Sequence, residues 1–246
     1  MELEPRITAN VSIVNARIAA AAAVAGRMTT DVRLVAVSKK FGPEHVAAAV
    51  AAGLQDLGEN KVQEALQKQA ATGALRVNWH LIGHLQSNKT RKAVEAFDWI
   101  HSLDSVNLLR RLERAAADYG RSPHLLIQVD LADEATKHGA PEAEVRRILD
   151  AATTCRWITI HGLMVMPPWS RNPEATRPYF RRLRQLRDEL RAAGPGSRLD
   201  QLSMGMSHDL EVAVEEGATM VRVGTALFGP RPPAATLPCH AVTTDT

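Results

Sequence analysis

The apolar positions of the chain fall into eight short runs, separated by longer and more polar segments. Most of the runs are rich in valine, isoleucine and leucine, and each is short for a helix. Several are apolar at consecutive positions, which is typical of parallel strands that helices cover on both faces. We therefore predict eight strands, over 34–38, 54–60, 79–85, 99–103, 124–131, 158–166, 201–206 and 220–228.

The segments between these runs carry the signals of helices. In one segment Ser105 is a suitable N-cap and Gly120 a suitable terminator, and in a later segment Ser207 is a suitable N-cap. The predicted helices cover 42–53, 104–120, 141–153, 177–194 and 207–217. An additional helix, over roughly 6–26, is predicted before the first strand.

Strands that alternate with helices in this way form right-handed βαβ units and a parallel sheet. Eight such units in 246 residues match the size of a (β/α)8 TIM barrel. A doubly wound open sheet is the competing fold, but no G-x-G-x-x-G motif follows the first predicted strand. We predict one barrel domain over 1–231 and a disordered, Pro- and Thr-rich tail over 232–246.

The composition narrows the class of protein. A formal charge of +3 is too small to imply a polyanionic partner, and we expect the arginines of 177–194 to form a solvated helix face. Cys155 and Cys239 have neither a metal-binding spacing nor the pattern of a disulfide framework. The N-terminus lacks the basic start of a signal peptide, and the apolar stretch 18–26 is short for a bilayer. We expect a cytoplasmic protein with no nucleic-acid or membrane partner.

Two adjacent lysines, Lys39 and Lys40, follow the first predicted strand. Because side chains alternate along a strand, Lys39 shares a face with Val35 and Val37. Bulky β-branched residues favour the interior of a barrel, so this face leads to the C-terminal mouth, where the active sites of TIM barrels lie. A partly desolvated amine at the mouth is a candidate for a Schiff base. The alternative is a solvated strand end.

The phosphate sites of TIM barrels are frequently built from the loops after strands seven and eight. Ser207 follows the seventh predicted strand, and Gly224 and Thr225 lie in the eighth predicted run. A helix N-terminus, a glycine that allows close backbone approach and a hydroxyl would suit a phosphate, on the opposite side of the mouth from Lys39. The alternative is that Ser207 is only a helix cap and Gly224 only a packing glycine.

Arg222 lies between Val221 and Val223, on the strand face of Gly224. A buried guanidinium needs a partner because it does not lose its charge. A carboxylate partner would make Arg222 structural, whereas a ring nitrogen would make it a ligand contact, and the sequence leaves both open. His84 is the nearest candidate for a second acid or base. No H-x-x-x-H motif or cysteine cluster indicates a metal site.

These residues lie in motifs that closely resemble the pyridoxal phosphate homeostasis proteins, which are single-domain relatives of the alanine racemase N-terminal barrel. The motifs are AVSK, LGEN-x-VQEA, WHLIGHLQSNK, HSLDS, GLMVMPP, LSMGMSHD and VRVGTALFGPR, in this order between residues 34 and 231. The resemblance implies a (β/α)8 barrel that holds pyridoxal 5′-phosphate (PLP) as a Schiff base on Lys39. It also implies that Asn60 lines the cofactor and that Met204 and Met206 flank it.

The resemblance further implies that Ser207, Gly224 and Thr225 hold the phosphate and that Arg222 faces the pyridine nitrogen. An arginine only donates hydrogen bonds, so it keeps this nitrogen unprotonated and PLP a poor electron sink. The family resemblance therefore implies a carrier or buffer in PLP (vitamin B6) homeostasis, without established catalysis, whose partners include PLP-dependent apoenzymes.

Two other functions stay open at this stage. One is a weak PLP-dependent amino-acid racemase, although we expect this chain to lack the extra β domain from which alanine racemase takes its second acid or base. The other is a phosphosugar-binding barrel enzyme in which Lys39 forms a Schiff base with its substrate.

Overall fold

In the computed structural model, which describes residues 2–132, 138–193 and 198–230, strands and helices alternate. The strands are β1 (Arg33–Val37), β2 (Asp56–Glu59), β3 (Asn78–Leu81), β4 (Trp99–Leu103), β5 (His124–Val129), β6 (Thr159–Val165), β7 (Gln201–Met206) and β8 (Met220–Val223). The helices are α1 (Leu3–Val24), α2 (Pro43–Ala51), α3 (Val62–Ala71), α4 (Thr90–Ala96), α5 (Val106–Tyr119), α6 (Glu142–Ala152), α7 (Arg177–Ala193), α8 (Leu210–Glu215) and α9 (Thr225–Phe228).

The strands β1 to β8 pair in chain order and close into a parallel barrel. The closure lies between β1 and β8, where Ala36 is opposite Val223. On its other side β1 pairs with β2, where Val37 is opposite Gly58. Since all strands are parallel, their C-terminal ends meet at one mouth. The predicted (β/α)8 barrel is confirmed.

Strand side chains alternate between a small interior cluster and a larger layer beneath the helices. The interior cluster contains Val35, Trp99, Leu126, Met164 and Met220. The next residue along β1, Ala36, belongs instead to the outer layer. The alternation predicted for β1 is therefore confirmed, and it sets which side chains can reach the mouth from inside the barrel.

The helix α1 is the additional helix predicted before the first strand. It packs on α2, α8 and α9. Its buried face consists of Ile7, Val11, Val14, Ile18, Ala21 and Ala22. The expectation for 18–26 needs correction, because most of this stretch belongs to a 22-residue helix with a mean hydropathy of 1.4, enough by length and composition to cross a membrane. In the fold, the barrel helices cover the face that carries Ile7, Val14 and Ile18, whereas Ile13 and Val24 are exposed.

Other helices follow their sequence signals. The Ser105 hydroxyl accepts the N–H of Leu108 at the start of α5, and Gly120 ends this helix with a φ of 60°. The left-handed region is open to glycine at little cost, which explains the sharp stop. On α7 the predicted apolar stripe is buried, and it consists of Phe180, Leu183, Leu186 and Leu190.

Some local predictions are wrong. The eighth run is a strand only to Val223, because the chain turns at Gly224 into the short helix α9. The helix α8 begins at Leu210 with Asp209 at its N-cap, so Ser207 does not cap it. The Asp209 carboxylate accepts the N–H of Met206 and closes the turn before the helix (2.7 Å). The helix α3 is not among those predicted.

The arginines of α7 do not form a purely solvated face. Arg177, Arg181 and Arg184 all donate to Glu216, whose side chain is only 6% exposed. These ion pairs join α7 to the C-terminal end of α8. The predicted tail over 232–246 lies outside the described residues.

Candidate functional site

Lys39 and Asn60 meet at the C-terminal ends of β1 and β2. The register of the two strands places these ends side by side, and Lys39 Nζ donates to Asn60 Oδ1 at 3.3 Å. Lys39 is half-buried, whereas its neighbour Lys40 is exposed. The structure therefore separates the two lysines as strand alternation predicts, and Lys39 is the amine at the mouth.

A buried lysine on α3 holds the turn that carries Lys39. Lys68 Nζ donates to the carbonyl of Ser38 (2.7 Å), to Glu59 Oε1 (2.6 Å) and to Glu64 Oε1 (2.9 Å). The Ser38 hydroxyl also donates to Glu59 Oε1, at 2.6 Å. Because Ser38 precedes Lys39 and Glu59 precedes Asn60, this cluster, which we call the Lys68 clamp, fixes two site residues from behind.

The Lys68 clamp also holds an unusual backbone conformation. Lys40 has a φ of 68°, in the left-handed region that non-glycine residues rarely adopt. Its N–H donates to Glu64 Oε1 at 2.5 Å. Burial raises the pKa of Glu59, although the hydrogen bonds from Lys68 and Ser38 act in the opposite direction. A buried carboxyl in this environment depends on Lys68 for its charge.

Ser207 lies where β7 ends, and its hydroxyl turns toward the end of β8. It accepts the N–H groups of Gly224 (3.2 Å) and Ala226 (3.3 Å). Thr225 lies between them as the exposed first residue of α9. The structure therefore brings the predicted phosphate residues together, but Ser207 binds the start of α9 rather than that of α8.

This group of residues is next to Lys39 and not opposite to it. A Cβ atom on Gly224 would lie 3.3 Å from the carbonyl oxygen of Val37, the last residue of β1. The prediction that the phosphate residues lie on the opposite side of the mouth is wrong, because closure of the barrel makes β8 the direct neighbour of β1. The predicted residues thus occupy adjacent strand ends, in the order β7, β8, β1 and β2.

Arg222 is buried inside the barrel, with 3% of its surface exposed. It donates from Nη1 to Ser203 Oγ (2.6 Å) and from Nη2 to the carbonyl of Val165 (2.8 Å). Burial lowers its pKa to about 10, and the charge of Asp209 opposes this shift. Over the part of the chain that the structure describes, Arg222 makes no ion pair with a carboxylate. Among the described residues, Arg222 therefore does not form the salt bridge that the structural alternative requires.

Met204 and Met206 differ in their burial and position. Met204 is fully buried and packs in the outer layer with Leu202. Its side chain therefore lies on the helix side of β7, so the structure does not bring it together with the other predicted site residues. Met206 ends β7 opposite Arg222 in the β8 register and is half-buried at the mouth.

His84 lies in the loop after β3, and the residue before it, Gly83, is packed against the backbone of Asn60. Its Nδ1 is 3.6 Å from Asp104 Oδ2, and its ring stacks on that of His138 at 3.6 Å between centroids. Burial lowers the pKa of His84, and the nearby His138 lowers it further. Within the described ranges, no cluster of histidine, cysteine and carboxylate side chains suits a metal ion.

The Lys68 clamp and Ser203 are absent from the predicted site. Ser203 is a polar residue inside a mainly apolar run, and a buried polar group must find a partner. That signal could have drawn attention to Ser203, and Glu59 is one of the polar residues that the sequence places at the end of a predicted strand. Lys68 gives a weaker signal, because only its i,i+4 spacing from Glu64 distinguishes it from a surface lysine.

The fold and these strand ends place the chain in a known class of barrels. The family described as "Alanine racemase, N-terminal domain" matches residues 13–232. An alanine racemase from Clostridium difficile 630 is similar at a TM-score of 0.73 and 14% identity, over 94% of this chain and 58% of the racemase chain. At this identity the likeness concerns the fold alone.

Relatives with higher sequence identity define the family within this class of barrels. The pyridoxal phosphate homeostasis protein of Aquifex aeolicus (strain VF5) is 42% identical over 87% of this chain and 94% of its own length. The structure of PipY from Synechococcus elongatus PCC7942 with PLP bound is 45% identical, at a TM-score of 0.78 over 86% of this chain and 100% of PipY. The chain belongs to the family of pyridoxal phosphate homeostasis proteins.

Proposed function

We propose that this protein binds PLP as a Schiff base on Lys39 and acts in intracellular PLP homeostasis as a carrier or buffer. One observation carries the proposal. An amine, a hydroxyl with adjacent backbone N–H groups, and an arginine without a carboxylate partner among the described residues lie on neighbouring strand ends. PLP has three matching parts, namely an aldehyde, a phosphate and a pyridine nitrogen. The PLP-bound structure of the PipY relative supports the assignment.

The residues at the ends of β7 and β8 fit a phosphate. Ser207 and Thr225 supply hydroxyls, and the backbone at Gly224 carries no side chain that would keep an anion away. The N–H groups that now bind the Ser207 hydroxyl belong to the same turn. Oriented N–H groups and hydroxyls are the usual donors for a phosphate.

Arg222 fits the pyridine nitrogen of the same ligand. Its guanidinium has only donors, so a ring nitrogen beside it must accept a hydrogen bond and stay unprotonated. PLP supplies an electrophilic aldehyde and an electron sink when it is bound, and the second property is weakest without a proton on the ring. The proposal of a carrier, with little catalysis, rests on this chemistry. Asn60 would line the ligand from β2, beside Lys39.

Purified protein tests the proposal directly. Addition of PLP should produce the near-visible absorbance of a Schiff base, and borohydride reduction followed by peptide mass mapping should identify Lys39 as the modified residue. Lys39→Ala should lose the absorbance, whereas the matched control Lys40→Ala, which changes the exposed neighbour, should keep it. Protein that takes up no PLP, or that is modified at another lysine, would contradict the proposal.

Two further measurements separate a carrier from an enzyme. A carrier should pass PLP to a PLP-dependent apoenzyme faster than the Schiff base hydrolyses in buffer alone. A weak racemase, the second function considered, would exchange the α-hydrogen of alanine in deuterated water at an enzyme-like rate. We expect transfer without such exchange, and the reverse result would favour the racemase.

A further inference from the structure

Five strands each contribute one polar side chain to a hydrogen-bonded group in the barrel interior. They are Asp56, His80, His101, Ser203 and Arg222. This is unusual, because bulky apolar side chains dominate the interior of most TIM barrels. Four of the five are almost completely buried, and Asp56 is the exception. Such groups are stable only when each finds a hydrogen-bond partner.

The five side chains form one continuous chain of hydrogen bonds. Arg222 Nη1 is 2.6 Å from Ser203 Oγ, and this oxygen is 2.9 Å from His101 Nδ1. His101 Nε2 is 2.9 Å from His80 Nδ1, and His80 Nε2 is 2.9 Å from Asp56 Oδ1. Asp56 is the first residue of β2, so the series of hydrogen bonds extends from beneath the mouth to the N-terminal end of the barrel.

The two ends of this interior chain determine its direction. A guanidinium only donates and a carboxylate only accepts. His80 therefore donates from Nε2 to Asp56. A neutral imidazole carries one proton, so His80 Nδ1 accepts from His101 Nε2, and His101 Nδ1 accepts the single proton of Ser203. Ser203 Oγ accepts from Arg222, and both histidines have the Nε2–H tautomer.

The surroundings keep both histidines neutral. Burial places the pKa of His101 well below its ordinary value, and the charge of a protonated His80 would lower it further. Burial also lowers the pKa of His80, although the hydrogen bond to Asp56 acts against this shift. Burial acts to raise the pKa of Asp56, but the hydrogen bond from His80, the charge of Arg33 and the hydrogen bond from Asn78 act together against it. The pKa therefore lies below its ordinary value, and Asp56 stays ionised.

We propose that Ser203, His101, His80 and Asp56 are positioning residues that orient Arg222 toward the ligand and link its charge to a carboxylate at the far end of the barrel. Every hydrogen bond in this series donates in the same direction, from Arg222 toward Asp56, so the dipoles of the bonds add. Asp56 also pairs with Arg33 (3.6 Å), so it shares its negative charge with this cation and is linked to Arg222 only through the interior hydrogen bonds. The orientation of Arg222 toward a ligand rests on the proposed function, whereas the direction of the interior hydrogen bonds does not.

The direction can be tested on the protein without PLP. Nitrogen-15 NMR distinguishes the two imidazole tautomers, and we expect His80 and His101 both to be neutral with the proton on Nε2. An Nδ1–H tautomer or a protonated ring at neutral pH, at either residue, would overturn the inference.

The effect on the ligand site needs a matched pair of variants. Ser203→Ala breaks the interior chain beside Arg222, whereas Ser102→Ala removes another fully buried hydroxyl, one with no hydrogen-bond partner in the described part of the protein. We expect Ser203→Ala to raise the dissociation constant of PLP about tenfold, as for loss of a charge-assisted hydrogen bond, and to shift the absorbance maximum. Ser102→Ala should match the wild type, and Ser203→Thr should restore binding.

Asp56→Asn keeps an acceptor for His80 but removes the charge, and its partly exposed position favours folding. It should shift the absorbance in the same direction as Ser203→Ala, to a smaller extent. If PLP binds equally well to folded Ser203→Ala and Asp56→Asn proteins, with unchanged spectra, the inference fails while the proposed function stands. If the wild type binds no PLP, the proposed function fails. The tautomers of His80 and His101 still decide the direction of the interior hydrogen bonds.

Discussion

Lys40 has a left-handed backbone next to the lysine on which the proposed function depends. For a non-glycine residue this conformation costs about 1 kcal/mol or more, and it persists only where the surroundings determine it. Here the determinant is the Lys68 clamp, through the N–H of Lys40 and the carbonyl of Ser38. The position of Lys39 is therefore set by a residue on a helix behind it.

Replacement of Lys68 tests this dependence. Lys68→Met leaves Glu59 buried without its cation, and loss of one partner from a buried ion pair typically costs about 3 kcal/mol or more. We expect a lower free energy of unfolding in urea and, in the folded fraction, weaker PLP binding. Lys61→Met, which removes an exposed lysine just before α3, is the matched control and should leave both quantities near wild type. Equal behaviour of the two variants would contradict the role of the Lys68 clamp.

At the scale of elements, two serines bind helix starts with different consequences. Ser105 caps α5 away from the strand ends that carry Lys39 and Gly224, whereas Ser207 accepts two N–H groups at the start of α9. The sequence signals of the two serines are alike. What differs is the strand end on which each lies, and only the barrel shows that Ser207 is beside Gly224.

A comparison of Ser105→Ala with Ser207→Ala separates these roles. Each should cost about 1 kcal/mol of stability, as loss of a cap does. Only Ser207→Ala should weaken PLP relative to pyridoxal, because only Ser207 would contact a phosphate. Titration of both variants with both compounds measures the difference, and an equal loss in the two variants would contradict the phosphate assignment.

The contact between α7 and α8 predicts a dependence on pH. Burial acts to raise the pKa of Glu216, but its hydrogen bonds with Arg181 and Arg177 and the charges of Arg181 and Arg184 together outweigh burial. The pKa therefore lies below its ordinary value. A carboxyl with a lowered pKa stabilises the folded state above its unfolded pKa of about 4.3, and this contribution disappears as the pH falls through the folded pKa.

Glu216→Gln should therefore lower the free energy of unfolding by about 2 kcal/mol at pH 7, as for loss of a hydrogen bond to a charged group. The difference from the wild type should be smaller below about pH 4. Urea unfolding at both pH values measures this change. Glu174→Gln, which alters a more exposed partner of Arg177, is the control and should have a small effect. A difference between Glu216→Gln and wild type that does not change with pH would contradict the assignment.

At the scale of the whole molecule, α1 joins the parts that form the site. Asn10 donates to the carbonyl of Leu227 in α9, and Arg17 pairs with Glu211 in α8 and donates to the carbonyl of Ser207. These contacts tie the first helix to the last two, and so to the ends of β7 and β8. Ligand binding should consequently stabilise the entire barrel.

PLP at a hundred times its dissociation constant should add about 2.7 kcal/mol to the free energy of unfolding, because a ligand of the folded state shifts the equilibrium by mass action. In a chain of this size, that corresponds to roughly 5 to 10 °C in Tm. Thermal unfolding with and without PLP measures the shift. Lys39→Ala should show a much smaller shift, and an equal shift in this variant would mean that PLP stabilises the protein from another site.

The sequence by itself determined the alternation of strands and helices, the separation of Lys39 from Lys40, the cap of α5 and the buried stripe of α7. These features depend on side-chain period and on contacts within a few residues, which local sequence contains. The family resemblance identified from its motifs was confirmed by the comparisons.

Only the tertiary structure decided what depends on closure of the barrel. Closure placed Gly224 beside the end of β1 and turned Ser207 toward α9 instead of α8. The interior chain from Arg222 to Asp56 spans five strands. Hydrogen bonds need atoms within about 3 Å, and residues so far apart in sequence reach that distance only when the sheet closes on itself.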